Sequence, residues 1–209
     1  MIKRIIAAVL AAAIFISPGA AQTATFVLMN EGGVTLANGK ECSFVVGQKN
    51  ALLEQGSMNY GTRNNPSLPT GGWAGSERRT WCNSSYYNAI PISIRPIFKQ
   101  FICKAAGAAG SNYALSNSTD YFALPAEFEV FGVRESATTA EAASLIQFEW
   151  YKNAANQIKY LGNGGTKTTW WFRSPDNFNG SYFCANKYMS GYNYSISWQS
   201  LGISPYGCI

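Results

Sequence analysis

Trp170-Trp171-Phe172-Arg173-Ser174-Pro175 is the most distinctive run in the chain and anchors the reading of the rest. Three consecutive aromatics have large rings to bury, and the proline ends ladder pairing and opens a turn. The run therefore reads as a core strand. Just upstream, Ile158–Leu161 is a short strand followed by the turn Gly162-Asn163-Gly164-Gly165. From there to Ile209 the pattern is strand and turn. Thr138 or Thr139 can cap a helix reaching about Asn153, with Ala142, Leu145, Ile146 and Phe148 approximating its apolar stripe. Phe128–Val133 reads as extended or mixed, and 105–119 as a loop of small residues.

Further upstream, Ser76 is an N-cap with Glu77 in the first turn, so a helix is predicted from Glu77 to about Asn88, ending before Pro91. Residues 61–75 read as a loop rich in Asn, Pro and Gly. Thr23–Met29, Cys42–Gly47 and Ile97–Lys104 read as strands. Two main helices among many short strands make an α+β pattern. With no internal repeat, linker or heptad run, the chain is read as one domain.

Composition narrows the function. Only 13% of the 209 residues are charged, while aromatics reach 14%. That balance excludes a disordered chain and a coiled coil. Histidine is absent, which removes Ser-His-Asp and Cys-His catalysis and imidazole metal sites. No Lys/Arg cluster follows a phosphate backbone, so no nucleic-acid partner is expected. Asp176 is the only acid from Asn153 onward, so a calcium site built there from several carboxylates is not expected. No metal and no cofactor are expected.

Met1-Ile2-Lys3-Arg4 is a basic start, Ile5–Ile16 is an unbroken apolar run, and Ser17-Pro18-Gly19-Ala20-Ala21 supplies a break and small residues. This is the layout of a secretory signal peptide spanning residues 1–21, with cleavage between Ala21 and Gln22. A buried N-terminal helix retained in the mature protein is the alternative. The apolar run is short for a membrane span, so none is expected in the mature chain. Cleavage removes Lys3 and Arg4 and lowers the formal net charge from +5 to +3. Of the five cysteines, Cys42, Cys82, Cys103, Cys184 and Cys208, none shows C-x-x-C spacing. In an oxidising compartment they allow two disulfides and a free thiol, and Cys184 with Cys208 is the first pair to test. Buried, reduced thiols are the alternative.

Several stretches, in order, carry a resemblance. They are Gly71-Gly72-Trp73-Ala74-Gly75-Ser76-Glu77-Arg78-Arg79-Thr80, Ile94-Arg95-Pro96-Ile97-Phe98-Lys99 and Glu127-Phe128-Glu129-Val130-Phe131-Gly132, then Ile158-Lys159-Tyr160-Leu161, the Trp170–Pro175 run, Phe183-Cys184 and Gly207-Cys208-Ile209. Together they resemble a bacterial and phage domain family of unknown function with a W-W-L-R-S-P signature. The likeness covers roughly Gly47–Ile209. Pro125-Ala126 stands where the family usually has Leu-Ser. The first 45 residues match poorly, where relatives usually carry an amphipathic helix and a G-D-x-K strand.

That family is similar to the C-type-lectin fold of variable proteins from diversity-generating retroelements and of formylglycine-generating enzymes. The resemblance implies a single C-type-lectin-like domain over 22–209, secreted or on a cell surface, or else in a phage virion. It implies a scaffold presenting a C-terminal patch to a protein or glycan on a cell or host surface. Between Asp176 and Ser200 there are 4 Tyr, 5 Ser, 4 Asn and 2 Gly, a mixture that suits rigid aromatic contact with adaptable hydrogen bonding. The candidate ligand-binding residues are Asn177, Asn179, Tyr182, Asn186, Tyr188, Tyr192, Asn193, Tyr194 and Trp198. An exposed hairpin with ordinary turn chemistry is the plainer reading of the same residues. Trp73, Trp81, Trp170, Trp171 and Arg173 are expected to be structural, with Arg173 stacked on a ring or paired with a carboxylate. A formylglycine-generating enzyme using Cys184 or Cys208, and a self-packing component of a phage tail or surface layer, are the competing functions.

Overall fold

The computed structural model describes residues 10–17, 20–52, 56–59, 72–107, 114–134, 137–176, 182–186, 192–196 and 200–209. Its strands, in chain order, are β1 Leu10–Ser17, β2 Ala20–Glu31, β3 Phe44–Gln48, β4 Phe101–Ala106, β5 Leu115–Asp120 and β6 Phe122–Ala123. Next come β7 Lys159–Tyr160, β8 Lys167–Thr168, β9 Trp170–Pro175, β10 Tyr182–Asn186, β11 Tyr192–Ile196 and β12 Tyr206–Cys208. They form a five-stranded sheet ordered β1-β2-β3-β12-β6, a three-stranded sheet β11-β10-β9, and the pairs β4-β5 and β7-β8. With a few short helices, this is a small mixed α+β domain. Among the described residues, no helix is long and apolar enough to cross a membrane.

Strand β9 is buried along its whole length. One register face carries Trp170 and Phe172, whose rings meet edge-on with centroids 4.8 Å apart. Tyr151 stacks on Trp170 at 6.1 Å, and Phe131 meets Phe172 edge-on at 5.6 Å. A second ring cluster joins Phe26, Phe98, Phe122 and Tyr86, with Tyr86 edge-on to Phe122 at 4.9 Å. Fully burying side chains of this size contributes roughly 1.5–3 kcal/mol each relative to exposure.

The first helix, α1, runs through Glu77–Trp81, Cys82–Tyr86 and Tyr87–Ala89, and its middle segment is π-helical. Ser76 caps it by accepting from the Arg79 amide at 3.1 Å. At the other end the Arg95 guanidinium donates to the Asn88 and Ile90 carbonyls, which the helix leaves unpaired. Asn83, in the π-helical segment, ties α1 to the sheets. Its Oδ1 accepts from Tyr121 N at 2.6 Å and its Nδ2 donates to Phe122 O at 3.0 Å.

Elsewhere the expectations need correction. The predicted helix from Thr138 or Thr139 to Asn153 is only α3, Thr139–Ala143. Beyond it the Phe148 amide donates to Glu129 O, and the Gln147 side chain to Val130 O, so this backbone is held by a neighbouring element. Ile146, assigned to the apolar stripe, is 45% exposed. Phe128–Val133, read as extended or mixed, begins inside a helix, α2, Glu127–Phe131. Gly132 ends α2 at φ +69°, a left-handed conformation that suits glycine. Part of the supposed loop 105–119 is β5, paired along β4 from Phe101↔Asp120 to Ala106↔Leu115. The predicted strand Ile97–Lys104 starts later, at Phe101, after the short 3-10 turn Arg95–Ile97. Most of the predicted loop 61–75 lies outside the described residues.

Gly72 adopts φ +58°, and a Cβ there would stand 2.1 Å from the Ala106 carbonyl oxygen. Gly72→Ala should therefore cost about 2 kcal/mol or more of unfolding free energy in urea titrations, because it adds a clash to a strained conformation. An unchanged midpoint would contradict this packing.

Candidate functional site

The candidate recognition residues divide by position. Asn177, Asn179, Tyr188 and Trp198 lie outside the described residues. Tyr182 and Asn186 lie in β10, and Tyr192, Asn193 and Tyr194 in β11. The register pairs Tyr182 with Ile196, Cys184 with Tyr194, and Asn186 with Tyr192. Directly opposed residues share a sheet face, and alternate residues return to it. Tyr182, Asn186, Tyr192 and Tyr194 thus occupy one register face of the hairpin, and Asn193 the other. In this sheet β11 is an edge strand, while β10 is fastened to β9 through Phe183↔Pro175, Ala185↔Trp171 and Asn186↔Trp170.

Beneath that hairpin, the signature residues build a polar network in the core. Arg173 is fully buried and forms a forked pair with Glu129, with Nη1–Oε2 at 2.6 Å and Nη2–Oε1 at 2.8 Å. It also donates to Lys104 O at 3.0 Å, Leu124 O at 2.9 Å and the Tyr206 hydroxyl at 3.3 Å. Glu129 additionally accepts the Ala126 amide at 2.9 Å and so caps α2. Ser174 accepts the Glu127 amide at 2.9 Å and donates to Glu141, which also takes the Ala106 amide at 2.9 Å. Burial raises the Glu141 carboxyl above the usual range, against the opposing pull of Arg173 and these hydrogen bonds. Glu127 accepts the Ala137 amide at 2.8 Å.

The other signature stretches end in the same kind of anchorage. Trp73 Nε1 donates to Asp120 at 2.9 Å, and Asp120 also receives Arg79, Ser118 and Asn83. Trp170 Nε1 donates to Gln157 O and Trp171 Nε1 to Gly56 O. Trp81 is half-buried, with the Arg78 guanidinium 4.9 Å from its ring centroid. Composition alone did not single out Asp120, Glu127, Glu129 or Glu141. The signal was the acid spacing in Glu127-Phe128-Glu129, beside a distant lone arginine.

Lys159 is a second buried cation. Its Nζ donates to Gln48 O and Lys49 O, both at 2.9 Å, and lies 5.1 Å from the Tyr151 ring centroid and 5.4 Å from that of Trp170. Two carbonyls and two ring faces favour the ammonium, while burial works against it and lowers the group to about 7.

Cys42, Cys82, Cys103 and Cys208 are buried free thiols. Cys208 is a buried free thiol in β12, hydrogen-bonded to Cys42 rather than paired with Cys184. Cys184 belongs to the other sheet. Among the described residues, no group of three His, Cys, Asp or Glu side chains is placed to hold a metal ion. A separate open groove of about 900 Å³ runs past Leu28, Glu31, Phe128, Ile146, Glu149 and Trp150.

Two predictions follow from the buried charges. Arg173→Met strips Glu129 of its cation and should cost about 3–5 kcal/mol in denaturant titration, while Arg173→Met/Glu129→Leu should cost less than the single change. The second concerns pH. Unfolded Lys159 keeps its proton to about 10.5 and the folded form releases it near 7. Between those values the unfolded state binds more protons, so the lysine makes stability rise with pH, by at most about 1.4 kcal/mol per pH unit. Wild-type stability relative to Lys159→Met should climb between pH 7 and pH 10, and a flat difference would refute the shift.

Comparison with curated proteins and with solved structures finds no match. Residues 48–209 match the family described as "Domain of unknown function (DUF6273)". That span contains α1 to α3, β4 to β12 and every residue of the Arg173 network, and over it the chain belongs to the DUF6273 family.

Proposed function

We propose that the chain is a non-catalytic recognition domain of C-type-lectin-like fold, which binds a protein or glycan on a cell or host surface through the β10–β11 hairpin. One observation carries this reading: the hairpin register gathers Tyr182 and Asn186 of β10 with Tyr192 and Tyr194 of the edge strand β11 on one register face. Tyrosine gives broad amphipathic contact at low entropic cost, and asparagine adds adaptable hydrogen bonds. The strand beside the hairpin, β9, is held by a buried ion pair and large rings, which supports its use as a scaffold. Asn177, Asn179, Tyr188 and Trp198 are neighbours of these strands in sequence and lie outside the described residues. The signal-peptide layout supports export, with residues 1–21 removed. The resemblance to retroelement variable proteins supports a tail open to diversification.

The enzymatic alternative draws less support. Cys208 is buried against another thiol, and the buried acids of the core are engaged in structural hydrogen bonds.

The test is a Tyr182→Ala/Tyr192→Ala/Tyr194→Ala variant compared with wild type on arrays of immobilised glycans and on bacterial and host cells. Binding should fall at least about tenfold, with the melting temperature little changed. Full retention by the variant on a target that wild type binds would place the recognition surface elsewhere.

A further inference from the structure

Cys42 and Cys208 are 166 positions apart in sequence, yet they meet in the core. Three backbone connections bring them together. Cys208 lies in β12, and its carbonyl accepts the Lys99 amide at 2.8 Å. The next residue, Ile209, exchanges both backbone hydrogen bonds with Phe44, at 3.1 and 2.9 Å, and Cys42 lies two residues before Phe44. The Cys42 amide donates to Val34 O at 2.9 Å, and the adjoining Thr35 O accepts Ile102 N at 2.8 Å, folding this loop against the start of β4. Both side chains are buried, at 2% and 0% exposure, and their sulfurs are hydrogen-bond partners. Cys208 acts as the donor, which favours the thiolate on Cys42 and disfavours it on Cys208.

We propose that Cys42 and Cys208 are a disulfide site, oxidised by thiol–disulfide exchange with a small-molecule or protein disulfide. The Cys42 thiolate attacks one sulfur of the donor disulfide, whose S–S bond breaks and releases a thiolate. This leaves a mixed disulfide on Cys42. Cys208 then loses its proton, and its sulfur attacks Cys42 Sγ and expels the second donor thiolate. The two cysteines give up two electrons and two protons, and the donor leaves as two thiols. The pair is closed to solvent in the folded chain, so the bond forms while the chain folds.

Once the chain has folded, Cys82 and Cys103 do not enter the exchange, because burial raises both thiols well above their ordinary value and keeps them protonated. The Cys42–Cys208 bond closes a loop of most of the chain. Such a loop restrains the unfolded state strongly, provided that native geometry accommodates the bond. Here the two residues already touch before oxidation. The bond would lock the loop before β3 to β12 and clamp the centre of the five-stranded sheet.

The test is disulfide mapping of the full-length chain, refolded from the reduced, denatured state in a mixture of oxidised and reduced glutathione. Free thiols are alkylated and the protein is digested with trypsin without reduction. Cleavage after Lys40 and Lys49 isolates Cys42, and cleavage after Lys187 separates Cys184 from Cys208. The expected result is a linked pair of peptides carrying Cys42 and Cys208, with Cys82 and Cys103 alkylated. Reductant should also lower the melting temperature of wild type but not of Cys42→Ala/Cys208→Ala. Alkylation of both Cys42 and Cys208, or a link from Cys208 to Cys184 or Cys103, would overturn the assignment. The mapping uses wild type alone, so it decides the question even if the double variant fails to fold.

Discussion

One guanidinium sets the arrangement of this domain. Arg173 projects from β9 into the core and reaches the carbonyl of Lys104 in β4, the carbonyl of Leu124 after β6, the carboxylate of Glu129 in α2 and the hydroxyl of Tyr206 in β12. Removing a charge pair from water costs several kcal/mol per ion, and the pair survives only where geometry and extra hydrogen bonds offset that cost. Here the forked pairing and three further acceptors do so. The arrangement is demanding, because displacing any of the four elements leaves a buried charge poorly satisfied. That demand gives the ion pair a role in specificity: competing packings of the same apolar residues would strand it.

The backbone elements that were legible in sequence are the ones specified locally. The N-terminus of α1 is announced by Ser76 and Glu77, and β9 by its run of rings. The alternation in 182–196 places Tyr192 and Tyr194 on one face without any tertiary knowledge. The elements that were misread depend on distant partners. α2 is a turn and a half whose cap is a glutamate also bound to Arg173, 44 residues away. The segment after α3 abandons its helical stripe because the Phe148 amide finds Glu129 O instead of a carbonyl four residues back. β5 is made of Ser, Asn and Thr, with little apolar patterning, and exists because β4 pairs with it. For the site, the aromatic row could be read from composition. The supporting acids could not, since an acid in a sequence does not disclose whether it is solvated or buried against a remote arginine.

The scarcity of charge takes on a sharper meaning beside the structure. Asp120, Glu127, Glu129, Glu141 and Asp176 are buried, five of only 11 acids, and Arg78, Lys159 and Arg173 are buried among the bases. The charges left to the surface are therefore fewer still. Long-range electrostatic steering is weak on such a surface. The recognition proposed for the hairpin suits that regime, because rings and amides act through shape and hydrogen bonding at short range.

The position of β12 bears on the order of events during folding. This strand comes later in the chain than both of its neighbours, yet it stands between β3 and β6 and joins β6 to the rest of the sheet. Until it pairs, β3 keeps an open edge and β6 stands apart from the sheet. Pairings over such sequence separations fold slowly, because a large loop must close before they form. Completion of this sheet is therefore a late step of folding, in which one short strand unites segments that the chain keeps far apart.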